Sequence, residues 1–421
     1  MSGDVPEGWA SGHLGTFLSE HHDRVGERVD LEPLSLTKHQ GLILARERFG
    51  RALYSKDVGR YRHVRLDDIV VDPMLLWDGA FARLTRFEEG FVSPDYRVFR
   101  VNQGQIHTQF LEYWLRGPDA RRAFENGARG TNVRRNRIGR SDFLEVGIAT
   151  PPLPEQKKIA AILSSVDAAI RATQAVIDQA RRVKDGLLQD LLTRGIGHSR
   201  FKQTEIGEIP ESWDCVRTPA IAEGGDRGIA GGPFGSSLTS KDYLDRPGIP
   251  VIRGTNLTYN RGTFALDGFV FVSEAKAEEL ARNLAAPGDL VVTQRGTLGQ
   301  VGLIPVDVPY KTFVVSQSQM KLTPDRTKIR ARYLWYFAGS KVVLEWVDRN
   351  TIATGVPHIN LGLFKQLPVP VPPLQEQDRI VKILDSVQDS LDEMVGYIER
   401  LNRTKSGLLQ DLLTGRVRVA P

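Results

Sequence analysis

The sequence predicts an α+β fold: two globular domains separated by two long antiparallel helices that pair as an intramolecular coiled coil, in a pseudo-twofold, near-circular arrangement. Three observations predict it. Residues 151–193 and 372–414 align without a gap at an offset of 221, with 21 of 43 positions identical. Within each copy, apolar residues recur at alternating steps of four and three, the seam of a helix that packs lengthwise on another. Outside the copies the chain carries short strand-like runs punctuated by glycine turns.

Residues 1–150 form the first globular segment. It opens with Val5-Pro6-Glu7-Gly8-Trp9. Tyr61 to Leu66, Asp68 to Val71 and Tyr96 to Arg100 read as strands, separated by turns such as Asp78-Gly79 and Glu89-Gly90. Phe110 to Leu115 reads as the start of a helix, and Phe143 to Ala149 as β-like. Between them Arg121, Arg122, Arg129, Arg134, Arg135, Arg137 and Arg140 face a single acid, Glu125.

Residues 151–193 form the first long helix. Its seam is Ile159, Leu163, Val166, Ile170, Thr173, Ile177, Ala180, Lys184, Leu187 and Leu191. About 39 residues at ~1.5 Å each make it roughly 58 Å long. Residues 194–203 are glycine-containing, polar and aperiodic, and read as a linker.

Residues 204–371 form the second globular segment. Ile209-Pro210-Glu211-Ser212-Trp213 mirrors the opening of the first, and a glycine-rich loop, Gly231-Gly232-Pro233-Phe234-Gly235-Ser236-Ser237, follows. Ile249 to Arg253, Phe269 to Val272, Asp289 to Thr293, Val301 to Ile304 and Phe313 to Val315 read as strands. Trp114 and Phe143 align with Trp335 and Phe364 at the same offset of 221, so the duplication reaches into the globular segments. Residues 372–415 form the second long helix, with the seam Ile380, Leu384, Val387, Leu391, Met394, Ile398, Leu401, Lys405, Leu408 and Leu412. Residues 416–421 are a short tail. Lys184 and Lys405 occupy the same seam position, where a polar group fixes register at some cost in stability.

At 421 residues, 41% hydrophobic and 25% charged, the chain has the composition of a soluble multidomain protein. No run of about 18 apolar residues is present, so no membrane span is expected. The start, MSGDVPEGWASG, lacks the basic and apolar regions of a signal peptide, and a cytoplasmic location is expected. The single cysteine, Cys215, excludes an internal disulfide and reads as a buried structural thiol. The net charge of +5 is mildly basic and does not by itself establish a nucleic-acid partner.

The order of these parts resembles the specificity (S) subunit of Type I restriction-modification enzymes. The resemblance rests on the two Pro-Pro-Leu-x-Glu-Gln helices ending Gly-Leu-Leu-Gln-Asp-Leu-Leu-Thr and on the entry Thr204-Glu205-Ile206-Gly207-Glu208-Ile209-Pro210. It is carried further by Gly-Gly-Pro-Phe-Gly, Ile249-Pro250-Val251-Ile252-Arg253, Gly288-Asp289-Leu290 and Gly296-Thr297-Leu298-Gly299. The first segment lacks the Gly-Gly-Pro-Phe-Gly loop. Its Trp77-Asp78-Gly79-Ala80 and Gly90 to Tyr96 resemble another variety of the same domain.

The resemblance implies two target recognition domains, each reading one half of a bipartite double-stranded DNA site. It implies helices that act as spacer and dock two methyltransferase (M) subunits, which restriction (R) subunits can join. It implies a non-catalytic chain with no cofactor of its own; S-adenosylmethionine, ATP and Mg would belong to partner subunits. Gln189, Asp190, Gln410 and Asp411, in the identical helix ends, are the candidate docking residues. A specificity subunit of a related system without a separate nuclease is the alternative, and a self-contained restriction-methylation enzyme a remoter one.

The residues agree that chemistry lies elsewhere. An adenine methyltransferase needs an Asn/Asp-Pro-Pro-aromatic loop; Asp72-Pro73-Met74 and Ser93-Pro94-Asp95-Tyr96 lack the second proline. No Gly-x-x-x-x-Gly-Lys-Ser/Thr loop is present. Glu274-Ala275-Lys276 has a nuclease-like spacing but reads as a solvated helix face, and His21-His22-Asp23 as an exposed polar turn rather than a metal site.

DNA reading needs Lys or Arg for phosphates and Arg, Asn, Gln, Ser or Thr for base edges. In the first segment the candidates are Thr131, Asn132, Arg134, Arg135, Asn136 and Arg137. In the second they are Gly232, Arg253, Asn256, Gln294, Arg295, Thr297, Gln317, Thr354 and His358, at strand ends or loops. For the glycines around Gly232, a cradle for a DNA phosphate and a plain turn both fit.

Overall fold

The computed structural model describes residues 5–26, 30–38, 40–50, 58–127, 137–257, 264–295, 299–350 and 359–419. The chain divides into two compact units, Met1–Gln174 with Tyr397–Pro421, and Ala175–Gly396. Each unit therefore contains one globular segment, the start of one long helix and the end of the other.

The long helices run Leu153–Thr193 and Leu374–Leu413. Every residue of both predicted seams is buried or half-buried, whereas Val176 and Val183, just off the seam, are 54% and 48% exposed. In the first unit Lys405 Nζ lies 2.6 Å from Asp167 Oδ1, and further along Leu412 and Leu413 share a cluster with Ile159 and Leu163. One helix number rises as the other falls, so the pair is antiparallel. In the second unit Lys184 Nζ donates to Gln388 Oε1 at 2.5 Å, while Leu191 and Leu192 meet Ile380 and Leu384, which gives the same direction. The two lysines thus take equivalent partners, an aspartate in one unit and a glutamine in the other. Burial lowers the Lys184 pKa.

By length and composition alone the first helix is apolar enough to cross a membrane, contrary to the expectation from uninterrupted apolar runs. Seam residues and alanines supply that character. Asp167, in the first half of this helix, is held by Lys405 and by the Tyr113 hydroxyl at 2.7 Å.

The Glu-Gln pair at each helix start has a definite task. Gln156 Oε1 accepts the His107 amide at 2.8 Å, at the N-terminus of the helix Thr108–Arg116, and its Nε2 donates to Pro151 O at 2.8 Å. Gln377 does the same for Arg330, at 2.7 Å, ahead of Ala331–Ala338. Each glutamine satisfies an orphan helical N–H from a neighbouring element. Each glutamate grips the chain leaving the other long helix. Glu155 accepts two Arg418 nitrogens at 2.9 Å and the Val419 amide at 3.3 Å. Glu376 accepts Trp213 Nε1 at 3.0 Å, the Ile196 amide at 2.9 Å and His198 Nε2 at 2.8 Å. With Glu155 taken by Arg418, the buried Trp9 Nε1 has no partner among the described residues.

Arg418 holds the Glu155 carboxyl below its ordinary pKa. A carboxyl depressed in the folded state contributes stability above its unfolded pKa and loses it as pH falls through the folded value. The first unit is therefore expected to weaken as pH falls below about 4.5. Glu155→Gln should flatten that part of the profile in urea melts taken at stepped pH, and an unchanged profile would refute the assignment.

In the first unit an antiparallel sheet orders Leu18–His21, Arg97–Val101, Ile69–Val71 and Phe81–Arg83. Arg62–Arg65 pairs with Glu89–Val92, and Leu34–Thr37 forms a hairpin with Gly41–Leu44. Phe99, Phe110, Phe124 and Phe143 centre the core. Phe143 lies on a helical turn, Arg140–Leu144, and only Gly147–Thr150 is strand, which corrects the β-like reading of 143–149. The ring is fixed by Phe99 at 5.0 Å and Phe124 at 5.8 Å, so tertiary packing sets the local backbone.

The second unit holds two four-stranded sheets. One orders Ile229–Gly231, Gln319–Leu322, Leu290–Thr293 and Val301–Leu303; the other Val270–Val272, Ile249–Ile252, Phe313–Val315 and Leu284–Ala285. Every residue of Leu290–Thr293 and Phe313–Val315 is buried, which explains their continuous apolar runs. Residues 201–204, within and just past the predicted linker, form a hairpin with Gly207–Pro210. Cys215 is half-buried rather than buried, on a strand paired with Pro368–Val371, and burial raises its thiol pKa.

Candidate nucleic-acid interface

In the second unit the two sheets end at a common edge. Gly231 pairs with Met320, Thr293 with Gln319 and Val292 with Val301, which fixes that edge in the first sheet. In the second sheet Ile252 and Val315 run out side by side in parallel. Residues 316–318 step between the sheets, and the Ser316 amide donates to Ile252 O at 3.1 Å. The Gln294 carbonyl accepts the Ile359 amide at 3.0 Å, so the residue following 351–358 also reaches this edge.

Among the predicted readers that are described, Gln294, Arg295 and Gln317 meet there. Arg295 and Gln317 are exposed and Gln294 half-buried. Gln317 Nε2 donates to the carbonyls of Gly235 and Leu238, pinning the glycine-rich loop from below. Arg253 is half-buried and donates to Gly268 O at 2.7 Å. Asn256 is fully buried: its oxygen accepts the Arg253 amide at 2.9 Å and its nitrogen donates to Ala265 O and Asp267 O. Its hydrogen-bonding capacity is spent on bracing the loop, which corrects its reading as a base reader. The Gly232 amide donates to Gln319 O at 2.8 Å, and a Cβ there would lie 1.9 Å from Ser316 O. That glycine permits close backbone packing, and its N–H is not free to cradle a phosphate. Thr297, Thr354 and His358 lie outside the described residues.

In the first unit Thr131, Asn132, Arg134, Arg135 and Asn136 lie outside the described residues. Arg137 is exposed, and the next amide, Ile138, donates to Pro73 O at 3.1 Å. This places Arg137 at the edge where Ile69–Val71 ends and Arg97–Val101 begins. Arg140 and Arg97 flank Glu20 there, at 2.7 and 3.4 Å, and Arg62 bonds His22 Nδ1 at 2.7 Å. Arg62, Arg97 and His22 were not candidates from sequence; arginines inside strand-like runs were the available signal. His21 is no exposed turn: it ends a strand and contacts Asp68 Oδ2 at 3.1 Å. Among the described residues no group of three or more His, Cys, Asp or Glu could hold a metal. Lys276 pairs with Asp242 at 3.3 Å and Glu279 at 2.9 Å on the helix Glu274–Glu279, a surface ion-pair arrangement.

A family model described as Type I restriction modification DNA specificity domain matches residues 79–182 and 234–403, more than half of the chain. The chain belongs to this family. A Methanocaldococcus jannaschii sequence named for a type I restriction enzyme MjaX specificity subunit is 23% identical, covering 99% of this chain and 95% of its own. The MjaVIII specificity subunit of the same organism is 24% identical over 83% of this chain and 79% of its own. A chain from a solved structure concerned with assembly and conformational transition of the type I R-M system superposes with a TM-score of 0.62 at 16% identity, covering 98% of this chain and 100% of that one. That likeness shows a shared fold.

The specificity chain also presents its duplicated helix ends alike in each unit. Leu188, Leu191 and Leu192 are buried in one, and Leu412 and Leu413 in the other. Gln189, Asp190 and Gln410 are exposed and Asp411 half-buried. The Thr193 and Thr414 hydroxyls bond the Gln189 and Gln410 carbonyls, closing each last turn. A cleft of about 220 Å³ lies beside Gln189 and Thr193, lined by Glu208, Glu345 and Arg349. One of about 550 Å³ lies beside Thr414, lined by Trp9, Trp114, Asp119 and Arg122.

Proposed function

We propose that this chain is the DNA sequence-specificity subunit of a Type I restriction-modification complex. Residues 1–150 and 204–371 act as recognition domains, each reading one half of a bipartite double-stranded site. Residues 151–193 and 372–415 set the spacing and dock two methyltransferase subunits, with restriction subunits joining them. Residues 194–200 link the halves, ahead of the strand Phe201–Thr204, and 416–421 form a tail anchored through Arg418 to Glu155. The chain itself performs no chemistry; S-adenosylmethionine, ATP and Mg belong to the partners, and the complex works in the cytoplasm with no membrane role. One observation carries the reading beyond the family match: polar and basic side chains from separate strands converge at one edge of each recognition unit, as base readout by loops on a rigid scaffold requires. Gln189, Asp190, Gln410 and Asp411 are the docking candidates because they occupy equivalent positions in the identical helix ends, where Gln189, Asp190 and Gln410 are exposed and Asp411 is half-buried.

Exchanging residues 1–150 for the corresponding segment of another family member tests it. Methylome sequencing of a strain carrying the exchanged chain with its partner genes should show one half of the modified sequence changed and the other intact. A change in both halves, or transfer of labelled methyl groups by the purified chain alone, would overturn the reading.

A further inference from the structure

The glycine-rich loop of the second unit presents one side chain outward. Phe234 is 91% exposed, while Pro233 before it and Leu238 beyond it are buried. No other large hydrophobic residue described is as exposed. A loop could relieve such exposure by folding its ring onto the domain, but this one is held on every side. The Gly232 amide is bound to Gln319 O, Asn283 Nδ2 donates to Gly231 O at 2.6 Å, and Gln317 Nε2 spans the Gly235 and Leu238 carbonyls. Within the loop the Ser237 amide donates to Phe234 O at 2.9 Å, and Gly235 takes the left-handed φ of +48° that turns the chain. Gly232 packs so tightly that no other residue fits without moving the backbone. The construction fixes an aromatic ring in solvent.

We propose that Phe234 is an apolar wedge that seats against a base step of the half-site read by the second unit. This rests on the DNA-specificity reading above and deepens it. The described neighbours at this edge, Ser236, Ser237, Gln294, Arg295 and Gln317, carry donors and positive charge and no carboxylate, which suits a polyanion with stacked bases rather than an apolar protein face. A rigid apolar ring set among polar residues is the means by which proteins partly unstack and kink a duplex. Unstacking is easiest at flexible pyrimidine–purine steps. The ring therefore contributes specificity without a hydrogen bond, by selecting a deformable step beside the bases that the polar side chains read.

The test uses the assembled complex and duplexes carrying its modified site, with 2-aminopurine placed in turn along the second half-site. Wild type should give enhanced fluorescence at one step. Phe234→Ala should lose that enhancement and bind roughly ten- to a hundredfold more weakly, with an unchanged slope of log K against log salt because no charge is removed. Phe234→Trp should retain both. A fully exposed position leaves folding unaffected, which an unchanged melting midpoint would register. Wild-type affinity and fluorescence in Phe234→Ala would overturn the proposal. So would loss of assembly with the partner subunits while DNA binding by the assembled fraction stays intact, since the ring would then be a protein contact. Failure of the underlying reading looks different: the wild-type complex would prefer no sequence at all.

Discussion

Glu376→Ala is expected to destabilise the second unit by about 3–5 kcal/mol, the range for breaking a buried charged cluster from one side. The glutamate is 5% exposed and accepts from three donors: the Trp213 indole, the Ile196 amide and the His198 ring. Alanine leaves all three without that acceptor. The Ile196 amide and the His198 ring are half-buried, but the Trp213 indole is fully buried, and a buried orphan costs about 1–3 kcal/mol. Water cannot readily repair the loss, because Trp213 is completely buried. Glu376→Gln keeps the shape and one acceptor oxygen, and should cost about half as much. Glu155→Ala should cost less than Glu376→Ala, since the Arg418 side chain it releases is 43% exposed and rehydrates. Urea unfolding followed by tryptophan fluorescence and extrapolated to water measures the series. A Glu376→Ala loss under about 1 kcal/mol would mean that the clamp does not hold this junction. Gly195 supports the same site: at φ +65°, a Cβ there would meet Trp213 at 2.4 Å and Glu376 at 2.6 Å. The duplicated Glu is thus a structural lock rather than a partner-binding charge.

That lock shows where sequence reading stops. The seams were legible because a period of three and four residues is local, and packing along a helix simply follows it. The Glu-Gln pair was visible as a repeated motif, but its meaning was not, because its partners are far away in sequence. Gln156 serves His107, 49 residues earlier, and Glu376 serves His198, 178 residues earlier. Only part of the strand set was legible. Ile69–Val71, Arg97–Val101 and Phe313–Val315 fall in the expected runs, but Leu18–His21, Phe81–Arg83 and Gln319–Leu322 were not read. Glu89-Gly90, read as a turn, lies in the strand Glu89–Val92, and Phe143 was misplaced because two other rings decide its backbone. In the candidate interface, strand ends pointed to Gln294, Arg295 and Gln317, which do gather at one edge. Asn256 carries the same donors and acceptor whether it reads a base or braces a loop, and only its burial separates the two. Phe234 fails in the opposite sense. Composition assigns an aromatic residue to a core, and nothing local in the sequence reveals that its loop is pinned too firmly to bury it.

Gly232→Ala is expected to abolish sequence-specific binding at the second half-site while costing only about 1–3 kcal/mol of stability, the usual range for overpacking. Its new methyl would stand 1.9 Å from Ser316 O and 2.8 Å from the Gln317 Cα. These are backbone atoms, so no side-chain rotation relieves the contact. Either the loop lifts away or residues 316–317 retreat, and both movements break the Gly232–Gln319 bond and uncouple Gln317 from Gly235 and Leu238. The strands behind, Phe313–Val315 and Gln319–Leu322, are packed into the core and resist following. Binding suffers more than stability because separating the two segments takes Phe234, on the glycine-rich loop, out of register with Gln317, on the step between the sheets. Gly235→Ala separates contact from conformation. Gly235 has a positive φ but nothing within 4 Å of its would-be Cβ, so alanine should cost only the left-handed penalty of about 1–2 kcal/mol. With the loop still anchored, most of the binding preference should survive. Fluorescence anisotropy of the assembled complex on cognate and scrambled duplexes, paired with thermal melts, compares the two. Equal loss of specificity in both variants would mean that backbone conformation, rather than the close approach at Gly232, positions the reading edge.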